Sequence, residues 1–205
     1  MNEKANDLLD IAGIFRYHNA LIEKHGSGSV GALGWLQRKG QQARFEKLSE
    51  ISDMNGCSVL DAGCGHADLY PFLQKKYPLL TYYGCEQLPQ LLNVAAQRYK
   101  GANNIRLYLG DFLQASLPAS DYIIVSGSLN YRHREEDYIY EAIRTLFAHC
   151  QIGLGFNLLS GGTEPGTLLV AYHPHQILRF CQTLTPNVQL HQGYWKDDFT
   201  IFMFK

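Results

Sequence analysis

In VLDAGCGHADLY, residues 59–70, an apolar run ends in an acid, two glycines and the start of a helical pattern. Gly63 and Gly65 allow bends and close backbone approaches that a Cβ would hinder. The N–H groups that open the next helix then face whatever the turn holds. Two ligand chemistries compete for such a turn. One is a dinucleotide, whose pyrophosphate sits on the helix N-terminus. The other carries a cation, such as an amine or a sulfonium, and Asp61 suits it while repelling a phosphate. YYGCEQL, residues 82–88, places Glu86 about 20 residues further on, where a carboxylate can accept from both hydroxyls of a ribose. LGDF, residues 109–112, places Asp111 where it can accept from an adenine amino group, with Phe112 or Leu88 flanking the ring. One acid at a strand end reads as a solvated loop residue or a helix cap. Three acids at three successive strand ends read as one nucleoside-type site.

Such a site needs strands that bring their C-terminal ends together. From Cys57 onward short apolar runs alternate with helical patterns. Strands are expected at 58–61, 80–85, 105–109 and 121–126, with a fifth through Ile152, Leu154, Phe156 and Leu158, read as alternating. Helices are expected at 68–77, before Pro78, and along the faces of Leu88–Tyr99, Ile139–Phe147 and Ile177–Leu184. Strands alternating with helices imply a doubly wound, mainly parallel α/β sheet. Val188–Leu190 and Phe199–Phe204 are joined only by a turn-like stretch, so they should pair antiparallel at one edge. The first 50 residues read as helical, interrupted by the glycine- and serine-rich hinge His25–Gly34, with a second helix over Leu36–Ile51. Gly161–Gly166 reads as a loop. The organisation expected is one domain, 1–205, with residues 1–52 as a helical cap and 53–205 as the ligand-binding core.

Composition narrows the classes. The 205 residues are 46% hydrophobic and 18% charged, an ordinary globular balance. A net charge of −1 lacks the basic excess of proteins that track nucleic-acid phosphates, so no nucleic-acid partner is expected. No run approaches the roughly 18 apolar residues of a membrane span. The N-terminus has no basic segment followed by an apolar one, so no secretory signal is expected. The cysteine number, five, is odd and no CxxC occurs, which fits free thiols in the cytoplasm. His173-Pro174-His175 is not a convincing metal pair, and no metal is expected.

VLDAGCGHA, YYGCEQL, LGDF and IIVSGSLN, within residues 57–130, together resemble the class I S-adenosylmethionine-dependent methyltransferases. QQARFEKLSEI, SGSLNYR, GLGFNLLS and DDFTIFMFK also resemble a bacterial branch of these enzymes, a likeness that names no substrate. The resemblance implies a Rossmann-like sheet of seven strands with an antiparallel final strand. It implies S-adenosyl-L-methionine as cofactor, its methionine end held by Asp61 and the Gly63–Gly65 backbone. Glu86, with Gln87 beside it, would take the ribose, and Asp111 with Phe112 the adenine. Ser126, Gly127 and Ser128 would lie beside the methionine and the transferring methyl. Arg44 could reach the cofactor carboxylate, the alternative being an ordinary helix-surface arginine. Ala67 stands where a glycine is common, and His66 is bulky for the turn.

The methyl acceptor is less legible. A base is needed only where the attacking atom must lose a proton. His133, after Ser128–Tyr131, is the candidate. Tyr17 and His18 could line a lid, or simply belong to a helix packed on the sheet edge; Trp195 could wall a substrate or pack on the core. SGSL at 126–129 is unlike the Asn/Asp-Pro-Pro-aromatic motif of enzymes that methylate nucleobase and glutamine amines. The expected activity is methyl transfer to an O or N atom of a small molecule or peptide. A non-catalytic S-adenosylmethionine-binding module and a nicotinamide-dependent oxidoreductase are the rivals.

Overall fold

The computed structural model describes residues 3–35, 37–164 and 167–205, with the side chains of 3–7 left aside. Leu36, the expected start of the second helix, and Pro165-Gly166 of the expected loop lie outside the described residues.

Seven strands form one sheet: β1 (Ser58–Ala62), β2 (Thr81–Glu86), β3 (Ile105–Leu109), β4 (Ser120–Ser126), β5 (Cys150–Leu159), β6 (Val188–Gln192) and β7 (Asp198–Phe204). Their order is β3-β2-β1-β4-β5-β7-β6. β1 to β5 are parallel, and β7 runs antiparallel to both β5 and β6. The expected antiparallel pair therefore exists, with β7 inside and β6 at the edge. The residue types explain the choice: β7 is a nearly continuous apolar run buried over six positions, while VQLHQ in β6 is only partly covered. The chain order turns back between β1 and β4, which opens the crevice where doubly wound sheets take ligands.

The helices are α1 (Glu3–His25), α2 (Arg38–Leu48), α3 (Leu69–Lys76), α4 (Pro89–Arg98), α5 (Tyr138–His149) and α6 (Pro174–Leu184). Alternate residues of β1 serve the two faces of the sheet. Leu60 and Ala62 pack with Ile139, Ile143 and Leu146 of α5 and with Ile177 and Cys181 of α6. Val59 packs with Phe45 and Leu48 of α2, Leu69 and Leu73 of α3 and Ala95 of α4. α2, in the N-terminal stretch expected as cap, is thus part of the core. α1 and a 3-10 turn, Val30–Leu33, form a smaller cluster with Leu88 and Leu91.

β5 departs from the alternation expected of it. Gly153–Leu158 are all buried, because β5 lies between β4 and β7 and is covered on both faces. Its two glycines make this possible. A Cβ on Gly155 would lie 3.2 Å from Ile51 and 3.3 Å from Phe202, and one on Gly153 would lie 3.1 Å from the Met203 carbonyl.

Candidate functional site

Parallel register brings the strand-end acids together. Asp61 faces Gly84 on β2 and Ile124 on β4, and Glu86 pairs with Leu109, one residue before the Gly110-Asp111 turn. The glycine turn is tied to β2: the Gly63 and Cys64 N–H groups both donate to the Cys85 carbonyl, at 2.9 and 3.0 Å. Gly63 has φ +80, and a Cβ there would meet the Ser128 Cβ at 2.5 Å. Glycine at 63 is needed for that protein contact as well as for approach to a ligand. It lets the end of β4 close on the turn, where the Ser128 hydroxyl donates to the Ala62 carbonyl at 2.8 Å. A Cβ on Gly65 would meet the Leu33 side chain, so the 3-10 turn lies directly over the glycine turn. Ala67, in place of the common glycine, is buried at φ +53. His66 is buried as well, and burial lowers its pKa.

The acids differ in their partners. Asp61 is buried; its Oδ2 accepts from the Tyr82 hydroxyl, and its Oδ1 has no partner. Burial is the main reason its pKa rises to about 7, opposed by the Tyr82 hydrogen bond and reinforced by Glu86 and Asp68. Glu86 accepts from Gly65 N–H at 2.9 Å and from Leu88 N–H at 2.8 Å. Burial raises its pKa and these N–H groups oppose the rise. Each oxygen keeps a second lone pair for a ligand hydroxyl. Asp111 accepts from Leu113 N–H at 2.9 Å and from the Gln114 amide at 3.2 Å. Ser126 Oγ is buried without a partner.

Arg44 is no helix-surface arginine. Its Nε and Nη2 donate to the two oxygens of buried Asp198 at 2.6 and 2.7 Å, and its guanidinium lies 4.6 Å from the Trp35 ring centre. Its Nη1 is the group a Cβ on Gly127 would meet, at 3.1 Å.

The candidate cofactor residues and the candidate base line one cavity of about 680 Å³: Arg44, Asp61, Gly63, Gly65, Glu86, Gln87, Asp111, Phe112, Ser126, Gly127 and His133. That volume is in the ~300–1,000 Å³ range of small-molecule sites. His133 stacks on Tyr138, with ring centres 3.3 Å apart, and its Nδ1 lies 3.7 Å from Asp10. Among the described residues no group of His, Cys, Asp and Glu could hold a metal ion, and no helix is long and apolar enough to cross a membrane.

Of the remaining wall, the sequence offered Tyr17, His18 and Trp195 as alternatives and missed Trp35 and Tyr131. Tyr17 and His18 line the cavity instead of merely packing at the sheet edge, and so do Trp35 and Tyr131. Trp195 lines it too, while resting on α2, where a Cβ on Gly40 would come within 3.3 Å of its Nε1. An aromatic directly after the glycine-rich hinge, as at Trp35, was the available signal. No spacing links His18 to Tyr131.

The unpartnered oxygen of Asp61, the spare lone pairs of Glu86 and the glycine turn match a ligand with a cationic end and a ribose. Comparison with known proteins agrees. Residues 59–153 match a family model described as a methyltransferase domain. A Mycobacterium tuberculosis protein named "putative methyltransferase" is 26% identical over 159 residues, covering 72% of this chain and 93% of its own. The fold is similar to magnesium protoporphyrin IX methyltransferase from Synechocystis PCC 6803 with bound SAH, at TM-score 0.65 and 16% identity, covering 81% of this chain and 83% of that one. It is also similar to human N-acetylserotonin methyltransferase in complex with SAM, at TM-score 0.66 and 14% identity, covering 94% of this chain and 57% of that one.

Proposed function

We propose that the chain, whose residues 59–153 match a methyltransferase domain, is an S-adenosylmethionine-dependent methyltransferase of the class I type that methylates an O or N atom of a small acceptor. The observation that carries this reading is the single cavity in which the strand-end acids meet an aromatic wall. Residues 1–205 act as one unit, with the N-terminal stretch closing over a core that binds cofactor. Asp61 Oδ1 accepts from the cofactor amine. Glu86, next to Gln87, accepts from the ribose hydroxyls, and Asp111 from the adenine amine, with Phe112 against the ring. Ser126 and Gly127 flank the methionine, and Arg44 Nη1 faces its carboxylate.

Bound cofactor supplies a methyl group already activated by its sulfonium. The protein's part is to align the acceptor and exclude water, and positioning of this kind contributes about 7–11 kcal/mol in favourable cases. All five cysteines are unpaired, which supports a reducing compartment, the cytoplasm.

Calorimetry with S-adenosylhomocysteine tests the assignment. The wild type binds it, and Glu86→Ala loses about a hundredfold in affinity, since the carboxylate also holds the Gly65 and Leu88 N–H groups. Unchanged binding by the variant refutes the assignment. Mass spectrometry of reactions with neutral small molecules separates an enzyme from a binding module, which would bind without turnover.

A further inference from the structure

One side of the cavity has chemistry that cofactor binding leaves unused. His18 is buried on α1. Its Nδ1 lies 2.9 Å from the Ala32 carbonyl and its Nε2 lies 2.6 Å from the Tyr131 hydroxyl. A carbonyl only accepts, so Nδ1 carries the hydrogen. In the neutral ring Nε2 then holds a lone pair, and the Tyr131 O–H donates to it. Burial lowers the His18 pKa and so favours this neutral form. The phenol oxygen keeps its own lone pairs for a further donor.

Tyr131 is held where it can serve. It follows the 3-10 turn Ser128–Asn130 at the end of β4 and bridges to Leu169. On either side, Arg132 N–H donates to the Leu168 carbonyl at 2.6 Å and Val170 N–H to the Asn130 carbonyl at 2.8 Å. Tyr17 packs edge-on against both rings, at 5.2 Å from His18 and 6.4 Å from Tyr131. The wall nearby is Ile11, Ile14 and Leu169. Arg44 is held by Asp198 and, in the proposed pose, by the cofactor carboxylate, and Lys196 is exposed. The wall beside Tyr131 is apolar apart from His18 and Tyr17, which suits an uncharged acceptor.

Resting on the methyltransferase reading, we propose that Tyr131 and His18 are the proton-accepting end of an acceptor subsite that takes an uncharged aromatic hydroxyl compound. Tyr131 is the catalytic residue because it touches the acceptor; His18 is a positioning residue that acts through it. The acceptor O–H breaks and its proton goes to Tyr131 Oη, while the proton already on Tyr131 passes to His18 Nε2. The electron pair of the broken bond stays on the acceptor oxygen as the nucleophile. Once the methylated product has left, the imidazolium returns its proton from Nε2 to Tyr131 Oη, and Tyr131 passes its own to water in the cavity. Tyr131 relays the proton and does not persist as a phenolate, because burial, Glu86 and Tyr17 hold its pKa well above the ordinary value. His66, in the glycine turn, is the further titratable group that interacts electrostatically with His18.

The test uses 4-nitrophenol, an aromatic hydroxyl whose anion absorbs visible light. The protein is first saturated with sinefungin, a donor analogue that keeps a positive charge but has no transferable methyl. In the wild type, the bound probe ionises at lower pH than the free probe. In Tyr131→Phe and His18→Ala that ionisation weakens by about tenfold or more at fixed pH. Sinefungin affinity stays at the wild-type level, which shows that the variants fold. His133→Gln, which removes the competing candidate base, is measured beside them. If sinefungin binds but 4-nitrophenol does not, or if Tyr131→Phe ionises it fully, or if only His133→Gln fails, the relay is overturned and the methyltransferase reading stands. If sinefungin does not bind the wild type, the methyltransferase reading falls and the relay with it. Should the variants fail to fold, nitrogen NMR of ¹⁵N-histidine wild type decides. Neutral His18 with hydrogen on Nδ1 supports the relay, and hydrogen on Nε2 overturns it.

Discussion

On the floor of the cavity, Asp61 and Glu86 stand on β1 and β2, aligned by strand register with Gly84 and Leu109. On its roof and far wall, position depends on side chains that meet across the chain. His18 reaches Tyr131 over 113 residues, Asp10 reaches the Arg134 N–H over 124, and Arg44 reaches Asp198 over 154. The floor is built from backbone hydrogen bonds that repeat along a sheet, so losing one polar side chain leaves its frame in place. The roof and wall contacts are individual side-chain pairs added to the packing of their elements, so losing one leaves its partner group unsatisfied.

The largest effect falls on the wall. Arg44→Ala leaves the Asp198 side chain, which is 0% exposed, without its partner. Stranding a buried charge in this way costs about 3–5 kcal/mol, to be read by urea denaturation. A double variant that also replaces Asp198 with an apolar residue recovers part of the loss. If the single change costs under about 1 kcal/mol, α2 is not held to β7 by this pair.

The floor's largest response is to pH. The folded Asp61 carboxyl titrates near 7 instead of 3.8. The folded state therefore binds the proton more tightly than the unfolded chain. Stability without ligand is greatest below the ordinary value and falls as pH rises through about 7. The displacement corresponds to at most roughly 4 kcal/mol. Thermal melts across this window should show the decline, and Asp61→Asn should flatten it. Binding of a cationic ligand reverses the sign, so S-adenosylmethionine affinity should rise with pH over the same interval. A wild-type melt profile that matches Asp61→Asn breaks the contrast.

Gly63→Ala probes the join between floor and wall. Its φ of +80 and the Ser128 contact together predict a loss of about 2–3 kcal/mol in denaturant and a severe fall in S-adenosylhomocysteine affinity. The smallest effect is expected on the roof. His18→Ala removes one buried side-chain pair and should cost about 1–2 kcal/mol. Its S-adenosylhomocysteine affinity should remain near that of the wild type, measured side by side in the calorimeter. A large loss of affinity would mean that roof and floor are one unit.

The floor was legible because its signals are local. An apolar run, then an acid and two glycines, marks a strand end wherever it occurs. Ile105–Leu109 was placed at its observed bounds, and Glu86 and Asp111 fell at the strand ends. β5 was less legible, since its alternation of apolar residues reads as half-buried until Ile51 and Phe202 are known to close over Gly155 on its other face. Arg44 could not be told from a surface arginine because its partner, Asp198, begins the last strand. Trp195 looked like a core aromatic because nothing nearby shows that Gly40 receives it.

The sequence alone determined the alternation of strands and helices, the acidic strand ends and the glycine turn. These follow from the period of apolar residues and from backbone freedom, which are properties of neighbours along the chain. Tertiary structure alone decided what closes the cavity: Arg44 on Asp198, Trp35 over Arg44, and His18 against Tyr131. Such pairs depend on which distant segments the sheet order brings within about 3 Å, and no local period encodes that distance.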